Sequence, residues 1–298
     1  MRKKEVIENI PIQHHYTKVK GALIHYVTTG EGPIILLVHS WNNDWFGFVP
    51  LLKELKGFQV VALDLPGYGG SGDGFAKYSV SIMADVVAGF IDTLKITPAI
   101  TCGISMGAGV TLDFGARYPE KTKSIIAMGA PVLKDAWVGA KIYAFLMRTG
   151  NLNFITRRVG KKIVSNYHYG HLTAKHLNLH NYSKELVDRY GLNGRGRNNP
   201  KTLFNMSVSM TKFDAVAALK KAQVPTHLVF GRYDKLVDIN KAIATSKKNK
   251  FVTVELIDDA GHVVILEKPR ESAEAIHTFK KKKAQKIAPA LRSIQAKI

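Results

Sequence analysis

The feature that most restricts how this chain can fold is the pentapeptide Gly103-Ile104-Ser105-Met106-Gly107, taken together with its flanks. The apolar run from Ala99 to Cys102 precedes it and is typical of a short buried strand. A stretch with helical spacing, from Ala108 to Tyr118, follows it. Glycines two residues before and after a serine allow a turn too tight for larger side chains. The pattern therefore predicts a nucleophilic Ser105 hydroxyl at the end of a strand, and the alternative is a glycine-rich turn without chemistry.

Two residues further along the chain could complete a catalytic group with this serine. A serine nucleophile needs a base, and the base needs an acid that orients it. Asp234 follows the strand pattern that begins at Thr226, and His262 follows the strand pattern from Phe251 to Ile257. Both lie on loops just past strand ends, where function is commonly placed on a rigid sheet. The order Ser, Asp, His predicts a triad of Ser105, Asp234 and His262.

Strand and helix patterns alternate along most of the chain. Short apolar runs predict buried strands at Ile34–Val38, Val60–Leu63, Ala99–Cys102, Ser124–Met128, His227–Phe230 and Val252–Ile257. Helical patterns separate them at Phe46–Leu55, Val80–Leu94, Ala108–Tyr118, Asn240–Ser246 and Pro269–Lys282. This alternation predicts a mostly parallel sheet covered on both faces. The alternating pattern before residue 30 predicts an antiparallel hairpin at the start of the chain.

Five motifs, in this order and spacing, resemble those of the α/β-hydrolase-fold serine hydrolases. They are Leu36-Leu37-Val38-His39-Ser40-Trp41, the run from Asp64 to Gly72, the serine pentapeptide, Gly231-x-x-Asp234-x-x-Val237, and Gly261-His262 with Glu267-x-Pro269. The resemblance implies an α/β-hydrolase fold with a mostly parallel eight-stranded sheet, helices on both faces and a helical cap insertion. Its implied divisions are a core of residues 1–131 and 214–283, a cap of residues 132–213, and a basic tail of residues 284–298.

The resemblance also assigns residues around the triad. The backbone N–H groups of Met106 and Trp41 would form the oxyanion hole, which stabilises the developing alkoxide. Ser40 stands where the family usually has glycine, so a left-handed backbone there would be strained, and its hydroxyl is a candidate substrate contact. His39 would support this loop without transferring protons. Asp64 would accept hydrogen bonds from backbone N–H groups in its own turn.

Other acids and pocket residues are also candidates. Asp258 and Asp259 compete with Asp234 but lie too near His262 in sequence to reach the proper side of its ring. Asp135 occupies a position that some relatives use for the acid. Aromatic residues of the cap segment are candidate pocket walls, with Ser40 contributing from the core. Chief among them are Trp137 and Phe145.

Positive charge is concentrated in two segments outside the expected core. The formal net charge is +20, and residues 132–213 contain 14 Lys and Arg against 3 Asp and Glu. Residues 280–298 contain 7 basic and no acidic residues. In the tail, an apolar stripe with a basic opposite face is typical of an interfacial helix, formed by Ile287, Leu291, Ile294 and Ile298. An anionic membrane surface is therefore a candidate partner. Alternatively, the tail docks on the protein's own surface or is disordered. Nucleic acid is disfavoured as a partner because no binding motif accompanies the charge.

Several further sequence patterns limit the disulfide content, cellular location and metal binding expected of the chain. A single cysteine excludes an internal disulfide framework, and Cys102 is expected to be a buried small apolar residue. No signal peptide or membrane-spanning run is apparent, so the expected location is the cytoplasm. His176 and His180 have a zinc-compatible spacing, but a serine hydrolase needs neither metal nor cofactor. Residues 193–200 are expected to form a mobile loop.

The sequence is compatible with three functions. The first is a cofactor-independent serine hydrolase that cleaves a carboxylic ester or related acyl compound, or, with the same triad, a C–C bond or enol-lactone of an acidic substrate. The second is a receptor-like binding protein with little turnover. The third is a membrane-surface protein that hydrolyses a lipid-derived ester.

Overall fold

The computed structural model describes residues 4–133, 162, 166–192 and 197–281, and within them nine strands form one sheet. The strand order is β1-β2-β3-β5-β4-β6-β7-β8-β9. The strands are β1 Lys4–Ile7, β2 Ile10–Val19, β3 Ala22–Thr29, β4 Ile34–Val38, β5 Gln59–Leu63, β6 Ile100–Ile104, β7 Ile125–Met128, β8 Thr226–Gly231 and β9 Val252–Ile257. The predicted α/β fold with a mostly parallel sheet is confirmed, although the sheet has nine strands where eight were expected.

The first three strands form the antiparallel edge of the sheet. Strands β1 and β2 are joined at Glu8 and Asn9, and β2 and β3 at Lys20 and Gly21. All four joining residues have positive φ, as the two central residues of a type I′ hairpin turn require. Strand β1 is the one the sequence did not predict, because four residues are too few to display an alternating pattern.

The remaining strands, β4 to β9, pair in parallel. Strands β6, β7 and β8 are buried along their whole length, which is why their sequences are mostly apolar. Strand β6 continues through Gly103 and Ile104, so it ends directly at the candidate nucleophile. Because the carboxyl ends of parallel strands share one edge, the loops after β4, β6, β8 and β9 meet there.

Helices follow most of the parallel strands. They are α1 Val49–Leu52, α2 Val80–Leu94, α3 Met106–Arg117, α4 Tyr167–Thr173, α5 Lys184–Leu186, α6 Pro200–Lys212, α7 Ala215–Lys220, α8 Ile239–Ser246, α9 Val264–Glu267 and α10 at 269–281. Short 3₁₀ turns lie at Trp45–Phe48 and Pro119–Lys121, and π-helical turns at Ala174–Asn178 and Val187–Gly191. Helix α2 begins where Ser79 Oγ accepts the Ile82 N–H at 3.1 Å and ends at Lys95, whose φ is 52°.

The hydrophobic core lies in two layers, one on each face of the sheet. Leu36 of β4 packs in the layer that contains α2 and α3, whereas its neighbour Ile35 packs in the layer that contains α9 and α10. Successive side chains of a strand point to opposite faces, so a strand buried on both faces must be apolar throughout. The expectation of helices on both faces is therefore confirmed.

The segment 132–213, expected to be a cap, is described in part, and its described residues include the helices α4, α5 and α6. Its assignment as a separate cap remains a prediction. The basic tail 284–298 lies outside the described residues. Within the described ranges, no helix combines the length and apolar character needed to cross a bilayer.

Candidate active site

Ser105 lies on a strained turn between β6 and α3. Its φ of 52° and ψ of −111° are unusual for a residue with a side chain, and such strain is characteristic of functional sites. A Cβ on Gly103 would lie 2.1 Å from Gly107 O, and a Cβ on Gly107 would lie 2.1 Å from Val38 O. The two glycines are therefore required because backbone passes directly over them. This geometry matches the tight turn that the pentapeptide predicted.

The structure joins Ser105, His262 and Asp234 in one hydrogen-bonded chain. His262 Nε2 lies 2.8 Å from Ser105 Oγ, and His262 Nδ1 lies 2.7 Å from Asp234 Oδ2. Histidine and aspartate are buried, while the serine is half-buried. Residues from the ends of β6, β8 and β9 thus meet at a single place.

Asp234 is held by its own loop as well as by the histidine. Its Oδ1 accepts the N–H groups of Leu236 at 2.8 Å and Val237 at 3.3 Å. Burial alone would raise the pKa of Asp234, but the charge and hydrogen bond of His262, together with these two N–H groups, lower it below its ordinary value. The carboxylate is therefore ionised and oriented towards the imidazole.

The competing acids lie elsewhere. The Asp258 carboxylate pairs with Arg232, and Asp259 Oδ2 lies 2.8 Å from Lys268 Nζ. Both aspartates are exposed, and neither takes the place of Asp234 on the histidine ring. Asp135, the other alternative, lies outside the described residues.

The loop after β4 carries Trp41, one of the two predicted oxyanion residues, and Ser40, the candidate substrate contact. His39 fixes this loop, because its Nδ1–H donates to Ser40 O at 2.8 Å and its Nε2 accepts the Leu65 N–H at 3.0 Å. Burial lowers the pKa of His39 despite the nearby Asp64, which keeps the imidazole neutral. Both ring nitrogens are thus engaged with backbone, consistent with the supporting role expected of this histidine.

The sequence alone left two details of this loop undetermined. Ser40 is not among the residues with positive φ, whereas Asn42 has a φ of 56°. The replacement of glycine by serine at position 40 therefore carries no left-handed strain. The indole Nε1–H of Trp41 donates to Leu203 O at 3.0 Å, so α6 anchors the loop from the opposite side.

Met106, the other predicted oxyanion residue, is the first residue of α3 and is fully buried. The N–H groups of a helix's first turn have no acceptor within the helix, and they point to the end of the helix where Ser105 lies. Tyr68 also contacts this region, because its hydroxyl donates to Met106 Sδ at 3.3 Å and its ring packs edge-on against His39. Tyr68 belongs to a glycine-rich motif noted in the sequence, but nothing local to it indicated this contact.

Asp64 has the turn-stabilising role that was predicted for it. Its Oδ2 accepts the Gly70 N–H at 2.9 Å, and its Oδ1 accepts the Trp45 N–H at 2.8 Å. An additional partner, His25 Nδ1, lies 2.8 Å from Oδ2, and both side chains are buried. Asp64 thereby ties the glycine-rich loop to the loop after β4 and to β3.

The sequence reasoning missed Asp44 and the residues that contact it. Burial, reinforced by nearby Asp64, raises the pKa of Asp44, although Arg197 opposes the shift. Arg197 Nη2 lies 2.7 Å from Asp44 Oδ2. Asn198 is buried, accepts the Gly69 N–H at 3.0 Å and donates to Asn42 Oδ1 at 3.3 Å. These contacts connect the segment before α6 to both loops beside the candidate triad.

The expectation of a mobile loop over residues 193–200 is therefore wrong for its second half. Residues 197–199 are anchored by these contacts and by the Asn199 N–H, which donates to Gly67 O at 2.8 Å. The physical reason is that the anchoring is polar, so it leaves no apolar pattern in the sequence. Residues 193–196 lie outside the described residues.

A cavity of about 250 Å³ lies beside the candidate triad. It is bounded by Ser40 and Trp41, by Leu236 and Val263, which are neighbours of the acid and the histidine, and by residues of the 166–192 segment. Its other lining residues are Asn42, Asn43, Tyr169, Gly170, Thr173, Ala174, Leu177, Asn178, Leu179, Val187, Gly191, Leu192 and Leu266. Trp137 and Phe145, the other predicted pocket residues, lie outside the described residues.

The cysteine and the two histidines with zinc-compatible spacing have structural surroundings that involve no group of metal ligands among the described residues. Cys102 is fully buried in β6, and burial raises the pKa of its thiol to about 12, as expected for an unreactive apolar residue. His176 lies in a π-helical turn and His180 beyond it, where its ring stacks on Tyr233 at 3.9 Å. Among the residues that the structure describes, no three His, Cys, Asp or Glu side chains group as metal ligands would.

Comparisons with known proteins place these observations in a family. A family model described as the alpha/beta hydrolase fold matches residues 33–269. The chain is 28% identical over 264 residues to the pimeloyl-[acyl-carrier protein] methyl ester esterase of Methylococcus capsulatus, covering 85% of this chain and 96% of that protein. It is 28% identical over 128 residues to bifunctional epoxide hydrolase 2 of Mus musculus, covering 41% of this chain and 23% of that protein. The matched part therefore spans only about a quarter of the length of that relative.

Solved structures agree in fold. A thermophilic esterase from Thermogutta terrifontis superposes with a TM-score of 0.73 at 20% sequence identity, covering 95% of this chain and 98% of that one. At such identity the likeness concerns the fold alone. Because the family model spans most of the chain, including the loops that carry Ser105, Asp234 and His262, the chain belongs to the alpha/beta hydrolase fold family.

Proposed function

We propose that this protein is a cofactor-independent serine hydrolase that cleaves a carboxylic ester or related acyl compound through an acyl-enzyme. The observation that carries the proposal is the hydrogen-bonded chain from Asp234 through His262 to Ser105, at the carboxyl edge of a parallel sheet. A serine, a histidine and a buried carboxylate in this geometry are the components of nucleophilic acyl transfer. Membership in the family supports the same reaction class.

Each residue of the triad would have one role. Ser105 Oγ attacks the substrate carbonyl carbon while His262 Nε2 takes the hydroxyl proton, and the protonated histidine then returns this proton to the leaving group. Water repeats the sequence on the acyl-enzyme and regenerates the serine. Asp234 accepts the Nδ1–H, which fixes the tautomer with Nε2 free to act as a base and stabilises the imidazolium that forms.

The oxyanion hole would consist of the Met106 and Trp41 N–H groups. Met106 offers its N–H at the start of α3, where the helix dipole also favours negative charge. Trp41 follows the loop residues that His39 fixes, and its indole is bound to Leu203 O. Donors held in place before the reaction need no reorganisation in the transition state, which is the source of their catalytic effect.

The cavity beside the triad suggests the substrate class. Its described lining contains serine, threonine, asparagine, tyrosine, tryptophan and aliphatic side chains but no Lys, Arg, His, Asp or Glu. A buried charge without a partner would be costly in such a place, so we infer that the group bound here is uncharged and largely apolar. The cavity has a volume of about 250 Å³. A short acyl or alcohol chain fits this space.

The test compares wild type with Ser105→Ala. Wild type should hydrolyse short p-nitrophenyl esters and react with a fluorophosphonate at Ser105, as identified by peptide mapping. Ser105→Ala should lower kcat by about 10⁴-fold or more and abolish labelling. Ser246→Ala, a serine on α8 away from the triad, is the control and should behave as wild type. A wild-type protein that neither turns over these esters nor reacts with the probe would contradict the proposal and favour a binding role.

A further inference from the structure

One carboxyl group links the histidine loop to the 166–192 segment. Glu267, at the end of α9, accepts the Gly261 N–H on Oε1 at 2.7 Å. Its Oε2 accepts the N–H groups of His180 and Asn181 at 2.8 and 2.7 Å. Three backbone donors from two distant parts of the chain therefore converge on one half-buried side chain.

The same two parts of the chain touch through their backbones. The His262 N–H donates to Asn178 O at 2.7 Å, and a Cβ on Gly261 would lie 2.7 Å from His180 N. Gly261 is thus a glycine because residues 178–180 cross directly over it. The backbone of the candidate base is held on one side by Asn178 O, and the residue before it is held by Glu267.

Further contacts extend this arrangement to the loop of the candidate acid. The His180 ring stacks on Tyr233, one residue before Asp234, with an interplanar angle of 10°. Lys235 Nζ donates to His176 O at 3.3 Å. We define residues 176–181 as the crossing segment, because they pass over both the acid loop and the histidine loop.

We propose that Glu267 is a positioning residue, which fixes the His262 loop against the crossing segment so that the imidazole stays aligned between Asp234 and Ser105. The inference rests on the proposed hydrolase function, since it assigns His262 the role of base. Glu267 acts through Gly261 and does not touch the reacting atoms. A hydrogen-bonded carboxyl group suits this task because both of its oxygens accept, and three N–H groups need acceptors here.

The discriminating variant is Glu267→Gln, which keeps the shape of the side chain but has one acceptor oxygen. Its amide nitrogen would face an N–H donor and leave at least one N–H group unpaired, which loosens either the histidine loop or the crossing segment. A misplacement of about 1 Å at a catalytic group can cost about 10²-fold in rate. We therefore expect kcat for a short p-nitrophenyl ester, and the rate of fluorophosphonate labelling, to fall by up to about this factor. KM should change far less.

Two controls separate positioning from stability. Glu274→Gln removes an exposed carboxylate from α10 and should match wild type in all respects. Ser79→Ala removes the hydroxyl that caps the N-terminus of α2, which accepts the Ile82 N–H and belongs to no contact of the candidate triad, and should lower Tm by a few degrees without changing kcat. Proton NMR of the His262 Nδ1–H, identified by its loss in His262→Ala, should show faster exchange in Glu267→Gln than in Ser79→Ala.

The outcomes distinguish this proposal from the one it rests on. Unchanged kcat and labelling in Glu267→Gln, with wild type still labelled at Ser105, would overturn the positioning role alone. An equal loss in Ser79→Ala would also overturn it, since lowered stability would then explain the effect. A wild type that resists labelling would instead refute the hydrolase function. If Glu267→Gln does not fold, Glu267→Asp, which keeps both oxygens on a side chain one methylene shorter, carries the same expectation.

Discussion

The hydrogen bonds around Asp234 make a specific prediction for Asp234→Asn. In the native protein, Oδ1 accepts two backbone N–H groups, from Leu236 and Val237, while Oδ2 faces His262 Nδ1 at 2.7 Å. An asparagine must keep its oxygen towards the two N–H donors, since its amide group cannot accept from them. The amide NH₂ therefore points at His262, and Nδ1 becomes an acceptor.

This reversal places the imidazole proton on the wrong nitrogen. With Nδ1 accepting, the neutral ring carries its proton on Nε2, which faces Ser105 Oγ at 2.8 Å and can no longer act as a base. The equivalent change in serine proteases lowers kcat by about 10⁴-fold. At about 1.36 kcal/mol per factor of ten, this corresponds to about 5.4 kcal/mol of transition-state stabilisation. The fold should persist, because the variant keeps the hydrogen bonds to the backbone.

The assay is steady-state hydrolysis of a short p-nitrophenyl ester, with circular dichroism to verify folding. Asp259→Asn is the matched control, since Asp259 lies on the histidine loop but pairs with Lys268, and it should retain wild-type kcat. An Asp234→Asn variant within about tenfold of wild type would refute the tautomer argument. So would an Asp259→Asn variant that is equally impaired.

Two further predictions concern stability. Gly103→Ala should destabilise the fold by about 3 kcal/mol or more in urea unfolding, because its Cβ would lie 2.1 Å from Gly107 O. Gly72→Ala is the control: the atom nearest to its Cβ would be 3.6 Å away, so its stability should lie within about 0.5 kcal/mol of the wild type. The lowered pKa of Asp234 gives a stabilising contribution that is present above the pKa of the unfolded state and is lost as pH falls through the folded-state value. Urea unfolding measured from about pH 5 downwards should therefore show the stability of the wild type decreasing below about pH 4. The decrease should be shallower in Asp234→Asn. Parallel plots of stability against pH for the two proteins would contradict this prediction.

Local sequence patterns predicted the sheet and the positions of the candidate site. Strand β4 is apolar because both of its faces are covered, whereas β9 lies at the edge of the sheet and is only partly buried; both were predicted with their exact bounds. The elbow was visible because its glycines are a local steric requirement, set by backbone within a few residues or on the adjacent strand. Asp234 and His262 were found because loops after parallel strands meet at one edge of the sheet, so order along the chain implied proximity.

The partners of polar side chains across the site were decided only by tertiary structure. Arg197 with Asp44, Asn198 with Gly69, and Glu267 with the crossing segment join residues separated by about 80 to 150 positions. A hydrogen bond needs a donor and an acceptor within about 3 Å, and neither residue type nor local spacing specifies which distant group will be there. Apolar burial leaves a periodic pattern in the chain, whereas a polar contact between loops leaves none. The sequence by itself therefore determined the scaffold and the three side chains of the candidate triad, while the tertiary structure determined which polar contacts hold them in place.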